Sequence, residues 1–281
     1  MNFRLLGALV IHTQKGSCLL SKENFNPTLA YLFRRHLAGL LLEDLPGGSF
    51  LEIGVGRGLF YCDLIKRKFS GVCLDLNPVL IEMHRKLSLI PSGVEFLAGD
   101  FASLSGQVDL LVAFEVLEHY DRDLECLRQW RERLNPGGVL LFSVPAHMRH
   151  WTINDTRAGH VRRYEKSDLQ QKLESEKFKI LEFWSYGGPI LIWTYRLSSL
   201  LKKIQPESRV FREYRPPIMI PDSKLRPLHF EETSSSGTQS FSFLSRRIFC
   251  EGIWRPFLQI QKRHLRGDDG IGYIIKCRMQ D

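Results

Sequence analysis

Six cysteines are scattered through this 281-residue chain (Cys18, Cys62, Cys73, Cys126, Cys250 and Cys277), and none stands in a C-x-x-C pair. That pattern speaks against a disulfide framework and a thiolate zinc site, and it suits a reducing compartment. No apolar run approaches the ~20 residues that cross a bilayer as a helix. The N-terminal MNFRLLGALVIHTQKGS holds only the short stretch LLGALVI and no small-residue cleavage site, so it does not read as a signal peptide. The expectation is a cytoplasmic protein. There is no internal repeat, and no basic-aromatic platform or recognisable RNA-binding module.

Net charge is nearly absent from the first half and concentrated in the second. Residues 145–281 carry 24 Lys+Arg against 15 Asp+Glu, a net of +9, whereas the whole chain carries +8. Residues 1–144 therefore sum to −1. A basic half meets anionic substrates, lipid headgroups or nucleic acid, or is simply a solvated basic surface.

From residue 48 short apolar runs alternate with amphipathic segments. Strands are expected at 49–54, 71–76, 94–99, 108–114 and 138–144, with helices at 59–69, 77–89 and 121–134 between them. The last helix is expected to stop at Asn135-Pro136-Gly137-Gly138. Near-continuous apolar strands separated by helices mean βαβ units and a parallel sheet covered on both faces. A Leu- and Arg-rich helix (28–42) precedes the first strand; a short helix, a strand at 178–184 and a final strand at 272–278 follow. The expected organisation is an N-terminal helical segment (1–47), a core (48–185), an insertion (186–269) and a last core strand (270–281). Within the insertion, Ile190, Trp193, Leu197, Leu200, Leu201 and Ile204 recur at helical spacing, and Phe249, Ile253, Trp254, Phe257 and Leu258 form a second stripe. Such stripes either pack on a sheet or lie in a membrane interface.

In an open α/β sheet the ligand sits beyond the carboxyl ends of the strands, where strand order reverses. The first expected strand runs into Glu52-x-Gly54-x-Gly56-x-Gly58. This spacing departs from the dinucleotide G-x-G-x-x-G, and a carboxylate there repels a diphosphate and attracts an ammonium. The second strand ends at Asp75-Leu76, where an acid accepts hydrogen bonds from a ribose diol. The third ends at Asp100-Phe101, an acid and a ring suited to an adenine, and the fourth at Phe114-Glu115. Together these describe an adenosine with a free diol and a cationic tail, which S-adenosylmethionine presents.

On these residues the chain resembles the class I S-adenosylmethionine-dependent methyltransferases (type 11/12-like), across 28–184 plus the final strand. Phe114-Glu115-Val116-Leu117-Glu118-His119 and Leu134-Asn135-Pro136-Gly137-Gly138 extend the likeness. The resemblance implies a doubly wound, Rossmann-like, seven-stranded sheet, mostly parallel, with an antiparallel last strand. The long insertion between the last two strands departs from the minimal pattern. Glu-x-x-Glu-His with a distant His is similar to the divalent-metal site of two branches, the ubiquinone-pathway O-methyltransferases and those acting on small-RNA 3′ ends. It implies Glu115, Glu118, His119 and His160 as ligands, a set better suited to Mn²⁺ or Zn²⁺ than to Mg²⁺. Glu-His here also resembles members that bind no metal.

His119 and His160 are each candidate general bases near neutral pH. Arg162, Arg163 and Tyr164, in a Gly-His-x-Arg-Arg-Tyr run, are candidates to grip an anionic acceptor, or form a solvated or capping feature. The leading reading is methyl transfer to an oxygen, less so a nitrogen, of a small or lipid-linked acceptor, with peripheral membrane contact as one consequence. RNA methylation with a divalent metal is the alternative. A non-catalytic adaptor is the third, disfavoured because an adaptor needs none of these cofactor residues.

Overall fold

In the computed structural model of the chain, the described residues are 10–13, 16–19, 28–86, 92–188, 191–192 and 259–280. The apolar stripes around 190–204 and 249–258 lie outside them, apart from 191–192.

Two short strands, β1 (Val10–Thr13) and β2 (Gly16–Leu19), pair antiparallel. Among the described residues before the core the helix is α1 (Leu29–Leu41), whose first turn is capped by the Thr28 side chain. The reading of 1–47 as helical overlooked the hairpin. Its β-branched VIHT run was the signal for a strand.

The core is a seven-stranded sheet in the order β5-β4-β3-β6-β7-β9-β8. Its strands are β3 (Gly48–Ile53), β4 (Phe69–Asp75), β5 (Val94–Ala98), β6 (Val108–Phe114), β7 (Leu134–Pro145), β8 (Phe178–Tyr186) and β9 (Gly272–Met279). Pairing is parallel from β5 to β7, and β9 runs antiparallel to both β7 and β8. Period-two alternation sends Phe50, Leu110, Val112 and Leu141 to one face with residues of α1, α2 (Tyr61–Lys66) and α3 (Pro78–Lys86). Leu51, Ile53, Leu111, Ala113 and Leu140 go to the other face with α4 (Asp123–Glu132) and α6 (Lys166–Ser175). Both faces are covered, which is why these strands are apolar on both sides.

The expected stop after α4 falls differently. The helix ends at Glu132, and Leu134 already pairs with Val108, so Asn135-Pro136-Gly137-Gly138 is a bulge inside β7. Gly137 takes the left-handed φ of 74° that the bulge requires.

Two consequences position the site. Strand order reverses between β3 and β6, so the crevice opens where Ile53 and Phe114 end their strands. Because β9 is antiparallel, β8 leaves the sheet and β9 re-enters it at that same edge. There Tyr186 and Pro145 both pair with Gly272, and the Ile271 amide donates to the Tyr186 carbonyl at 2.8 Å. Among the described residues no helix is long and apolar enough to cross a membrane.

Gly71 marks how closely β3 and β4 approach. A Cβ placed there would lie 1.9 Å from the Phe50 carbonyl oxygen. Gly71→Ala is expected to cost at least about 2 kcal/mol in urea unfolding, because a backbone atom must move. An unchanged midpoint would show that this approach is not close.

Candidate active site

Beyond β3 the chain turns through Gly54 (φ 72°) and Gly56 (φ 54°). Gly54 has no room for a side chain, since a Cβ would come within 2.7 Å of Val116 Cγ2. Gly56 has room: a Cβ there meets nothing nearer than the Gly54 carbonyl at 3.9 Å, so this backbone is open to a ligand. Its amide donates to Asp75 Oδ2 at 2.8 Å, and Asp75 Oδ1 accepts from the Asn77 amide at 2.9 Å. The acid at the end of β4 is thereby locked to the glycine turn. Leu76 is half-buried in the bend that follows. His84, fully buried in α3 and stacked on Phe96, reaches the Gly56 carbonyl through Nε2 at 2.8 Å. Burial holds its imidazole below the usual pKa, which keeps it neutral.

Helix α1 roofs this turn. The Tyr31 hydroxyl accepts from the Leu59 amide at 2.9 Å, and its ring lies 3.3 Å from where a Gly58 Cβ would stand. One turn on, Arg34 reaches the end of β6. There Glu115 sits at φ 57°, a strained backbone for a non-glycine residue. Glu115 Oε1 accepts from Ser143 Oγ (2.8 Å) and the Tyr186 hydroxyl (3.2 Å) and pairs with Arg34 Nη1 (3.2 Å). The Arg34 guanidinium lies 5.8 Å over the Phe114 ring, and its Nε is buried without a hydrogen-bond partner among the described residues. Tyr31, Arg34, His84, Ser143 and Tyr186 escaped the sequence reading, because each reaches the strand ends from a distant element.

Two expected cofactor residues are placed differently from expectation. Glu52 is not at the open mouth of the turn; its carboxyl is buried and accepts from the Cys73 thiol at 3.7 Å. Burial pushes its pKa up to about 8, against the smaller opposing pull of the Cys73 contact. Phe101 is buried, packed edge-on to Tyr120 at 6.1 Å, so its ring belongs to the core. The group left at the end of β5 is Asp100, which caps the following turn through the Ala102 amide.

Past β6 a second constellation forms. Donor atoms of Glu118, His119 and His160 all lie within 4.8 Å of one another. Glu118 is fully buried, with neither carboxylate oxygen hydrogen-bonded among the described residues, and burial followed by the nearby Glu115 drives its pKa well above the ordinary value. His160 Nε2 is 3.6 Å from Glu118 Oε1, while its Nδ1 is 3.0 Å from Asp155 Oδ1. His119 Nδ1 faces the Gly159 carbonyl at 3.2 Å. Burial, then His160, lowers His119 to about 4, which makes it a weak proton acceptor and a neutral imidazole. An orphaned carboxyl with two imidazoles oriented through their far nitrogens suits a divalent transition ion. Glu115 does not join the group, since Ser143, Tyr186 and Arg34 hold its Oε1; the four-ligand expectation reduces to three.

The expected acceptor grip fails. Arg162 Nη1 donates to Asp123 at 2.7 Å and Nη2 to the Asp121 carbonyl at 2.8 Å. Arg163 is buried and donates to both Asp155 oxygens, at 2.9 and 3.0 Å, and to the Ala146 carbonyl at 3.1 Å. Tyr164, also buried, donates to Asp123 at 3.1 Å. Guanidinium groups drawn out of water must be paired, and here the protein itself supplies every partner named. Asp155 was missed too, although Thr152-x-x-Asp155 is a capping box legible in the sequence.

The methyltransferase-domain family model matches residues 25–182. The mitochondrial ubiquinone biosynthesis O-methyltransferase of Saccharomyces cerevisiae is 28% identical over 107 residues, which are 36% of this chain and 34% of the relative. A protein of Mycolicibacterium smegmatis named "Probable S-adenosylmethionine-dependent methyltransferase" is 30% identical over 174 residues, 57% of this chain and 65% of the relative. The chain thus spans between a third and two thirds of the length of these relatives. The crystal structure of the cyclase SpnF superposes with a TM-score of 0.52 at 16% identity, covering 87% of this chain and 81% of that one; it shares the fold.

Glu52 carries a pH signature. Below the pKa of an unfolded-chain glutamate both states hold the proton and nothing is lost. As pH rises towards about 8 only the unfolded state ionises, so stability falls. The loss by pH 7 is on the order of 3 kcal/mol. Glu52→Gln is expected to abolish that slope in denaturation followed from pH 4.5 to 8, and parallel curves for the two proteins would refute the assignment.

Proposed function

The chain belongs to the methyltransferase-domain family, and from that premise we propose that it transfers the methyl group of S-adenosylmethionine to an oxygen of a small-molecule acceptor. The observation that carries this reading is the row of groups along one sheet edge at the switch point. These are the open Gly56 backbone locked to Asp75, then Asp100, then Glu115, on successive strand ends. Asp75 has the chemistry to accept from a ribose diol, Asp100 from an adenine amino group, and Glu115 to offset a cationic methionine moiety. Sulfonium is already a good leaving group, so holding an acceptor atom in line with the methyl supplies much of the acceleration. An acceptor hydroxyl also needs a proton acceptor. His160 is better suited than His119, whose lowered pKa weakens it. Oxygen is favoured over nitrogen by the O-methyltransferase relative.

Asp75→Ala is expected to weaken S-adenosylhomocysteine binding at least about tenfold by calorimetry, the scale of losing a charged hydrogen-bond acceptor. Equal affinity in the two proteins would remove the cofactor assignment. Labelled S-adenosylmethionine supplied with a cell extract then sorts acceptors, with label expected in the small-molecule fraction rather than in lipid or RNA.

The convergent donors favour a second reading, in which Glu118, His119 and His160 hold a divalent ion that acts as a Lewis acid on the acceptor oxygen. One Zn²⁺ per chain is expected in a calorimetric titration, abolished by Glu118→Gln. Absence of binding, or binding indifferent to that substitution, would leave His160 as a base alone.

A further inference from the structure

Asp155 is fully buried and accepts from five donors. Oδ1 receives His160 Nδ1 (3.0 Å) and Arg163 Nε (2.9 Å). Oδ2 receives Arg163 Nη2 (3.0 Å), the Thr152 amide (2.7 Å) and Thr152 Oγ1 (3.0 Å). Capping α5 (Ile153–Ala158) needs only the Thr152 contacts. It explains neither the buried guanidinium laid along the carboxylate nor the imidazole drawn to Oδ1. The Arg163 guanidinium lies along both oxygens and Thr152 donates twice to one of them, so Asp155 meets its neighbours as an acceptor on both sides. An ionised carboxylate only accepts, so the nitrogen of His160 facing it must carry the ring proton. In the neutral ring the other nitrogen, Nε2, presents a lone pair towards Glu118 and His119, and at 3.6 Å from Glu118 Oε1 it makes no hydrogen bond there.

We propose that Asp155, clamped by Arg163, is a positioning residue for methyl transfer. It fixes His160 in the Nδ1–H tautomer and delivers the Nε2 lone pair to the acceptor side of the site. This rests on the reading of His160 as a working group, either as the acceptor of the hydroxyl proton or as a metal ligand. Both uses need Nε2 unprotonated. The proposal gives the Gly-His-x-Arg-Arg-Tyr run a function that its inward-facing arginines otherwise lack. His160 does the work, and Arg163 holds what holds it.

Asp155→Asn makes a specific prediction. Three donors converge at the Oδ2 position, so the new amide oxygen settles there and the NH₂ falls at the Oδ1 position. It then donates to His160 Nδ1, and the ring proton moves to Nε2. The tautomer is read from side-chain ¹H–¹⁵N long-range correlations of the labelled full-length chain, with His160 assigned by loss of its signals in His160→Gln. The wild-type protein is expected to be protonated at Nδ1 and Asp155→Asn at Nε2. Thr152→Ala, which damages the same helix cap without touching His160, is expected to keep the wild-type tautomer.

Label incorporated from S-adenosylmethionine into a fixed cell extract is expected to fall ~100-fold or more in Asp155→Asn. In Thr152→Ala it should stay within about threefold of wild type. S-adenosylhomocysteine affinity should be unchanged in both. A wild-type His160 protonated at Nε2 overturns the proposal, and this readout requires no acceptor. A flipped tautomer with undiminished labelling overturns it as well, provided His160→Gln loses activity. If His160→Gln retains activity, it is the reading of His160 that fails.

Discussion

Arg163 carries its guanidinium into the interior beside the ends of β7 and β9, and the segment around His160 hangs on its pairing with Asp155. One nitrogen reaches the Ala146 carbonyl just after β7, while the other two grip a carboxylate that in turn caps α5 and holds His160. Withdrawing the carboxylate would leave an unpaired cation in the interior, the most costly kind of buried group, at about 3–5 kcal/mol. The pair orders the 146–165 segment, and that segment meets 115–119 where the Gly159 carbonyl faces His119 Nδ1 at 3.2 Å. Glu118 and His119 come with the second of these, and the Val161 amide donates to the Glu118 carbonyl at 3.0 Å, closing the frame.

A second weld lies at the end of β6. Glu115 is held in a left-handed backbone conformation by Arg34 from α1, Ser143 from β7 and Tyr186 from β8. Strain of this kind persists only where the surroundings over-determine it. The result is that the N-terminal helix, the centre of the sheet and the exit of the last parallel strand meet at one carboxylate. Tyr186 is also the last residue of β8. The antiparallel return of β9 makes the chain leave and re-enter the sheet at this edge, so the long insertion is rooted beside the candidate site. This placement follows from the one reversed strand.

The fold alone does not settle the chemistry. A cyclase shares it, so the argument for methyl transfer rests on the family and on which groups stand at the strand ends. Two constellations stand beyond the strand ends. One is the open backbone and fixed acids over β3 to β5. The other is a largely desolvated cluster past β6, where donor atoms of Glu118, His119 and His160 converge.

The sequence by itself determined the strands of the central sheet and the helices between the parallel ones. Continuous apolar runs such as VDLLVAF can only be strands buried on both faces, and β6 spans those residues, 108–114. It also determined the glycine turn and the acids that follow β4 and β5, because side chains at strand ends are fixed by local chain direction. Tertiary structure alone decided the rest. Glu52 and Phe101 lie next to open positions in the sequence yet point into the interior, since alternation along the sheet and packing on Tyr120 claim them. Arg162, Arg163 and Tyr164 read as a grip, but contacts with Asp121, Asp123 and Asp155 use their donors. Arg34 and Tyr186, 152 residues apart, meet at Glu115 only when the sheet closes. A charged residue's partner is set by distance in space, and no periodicity in the chain encodes that distance.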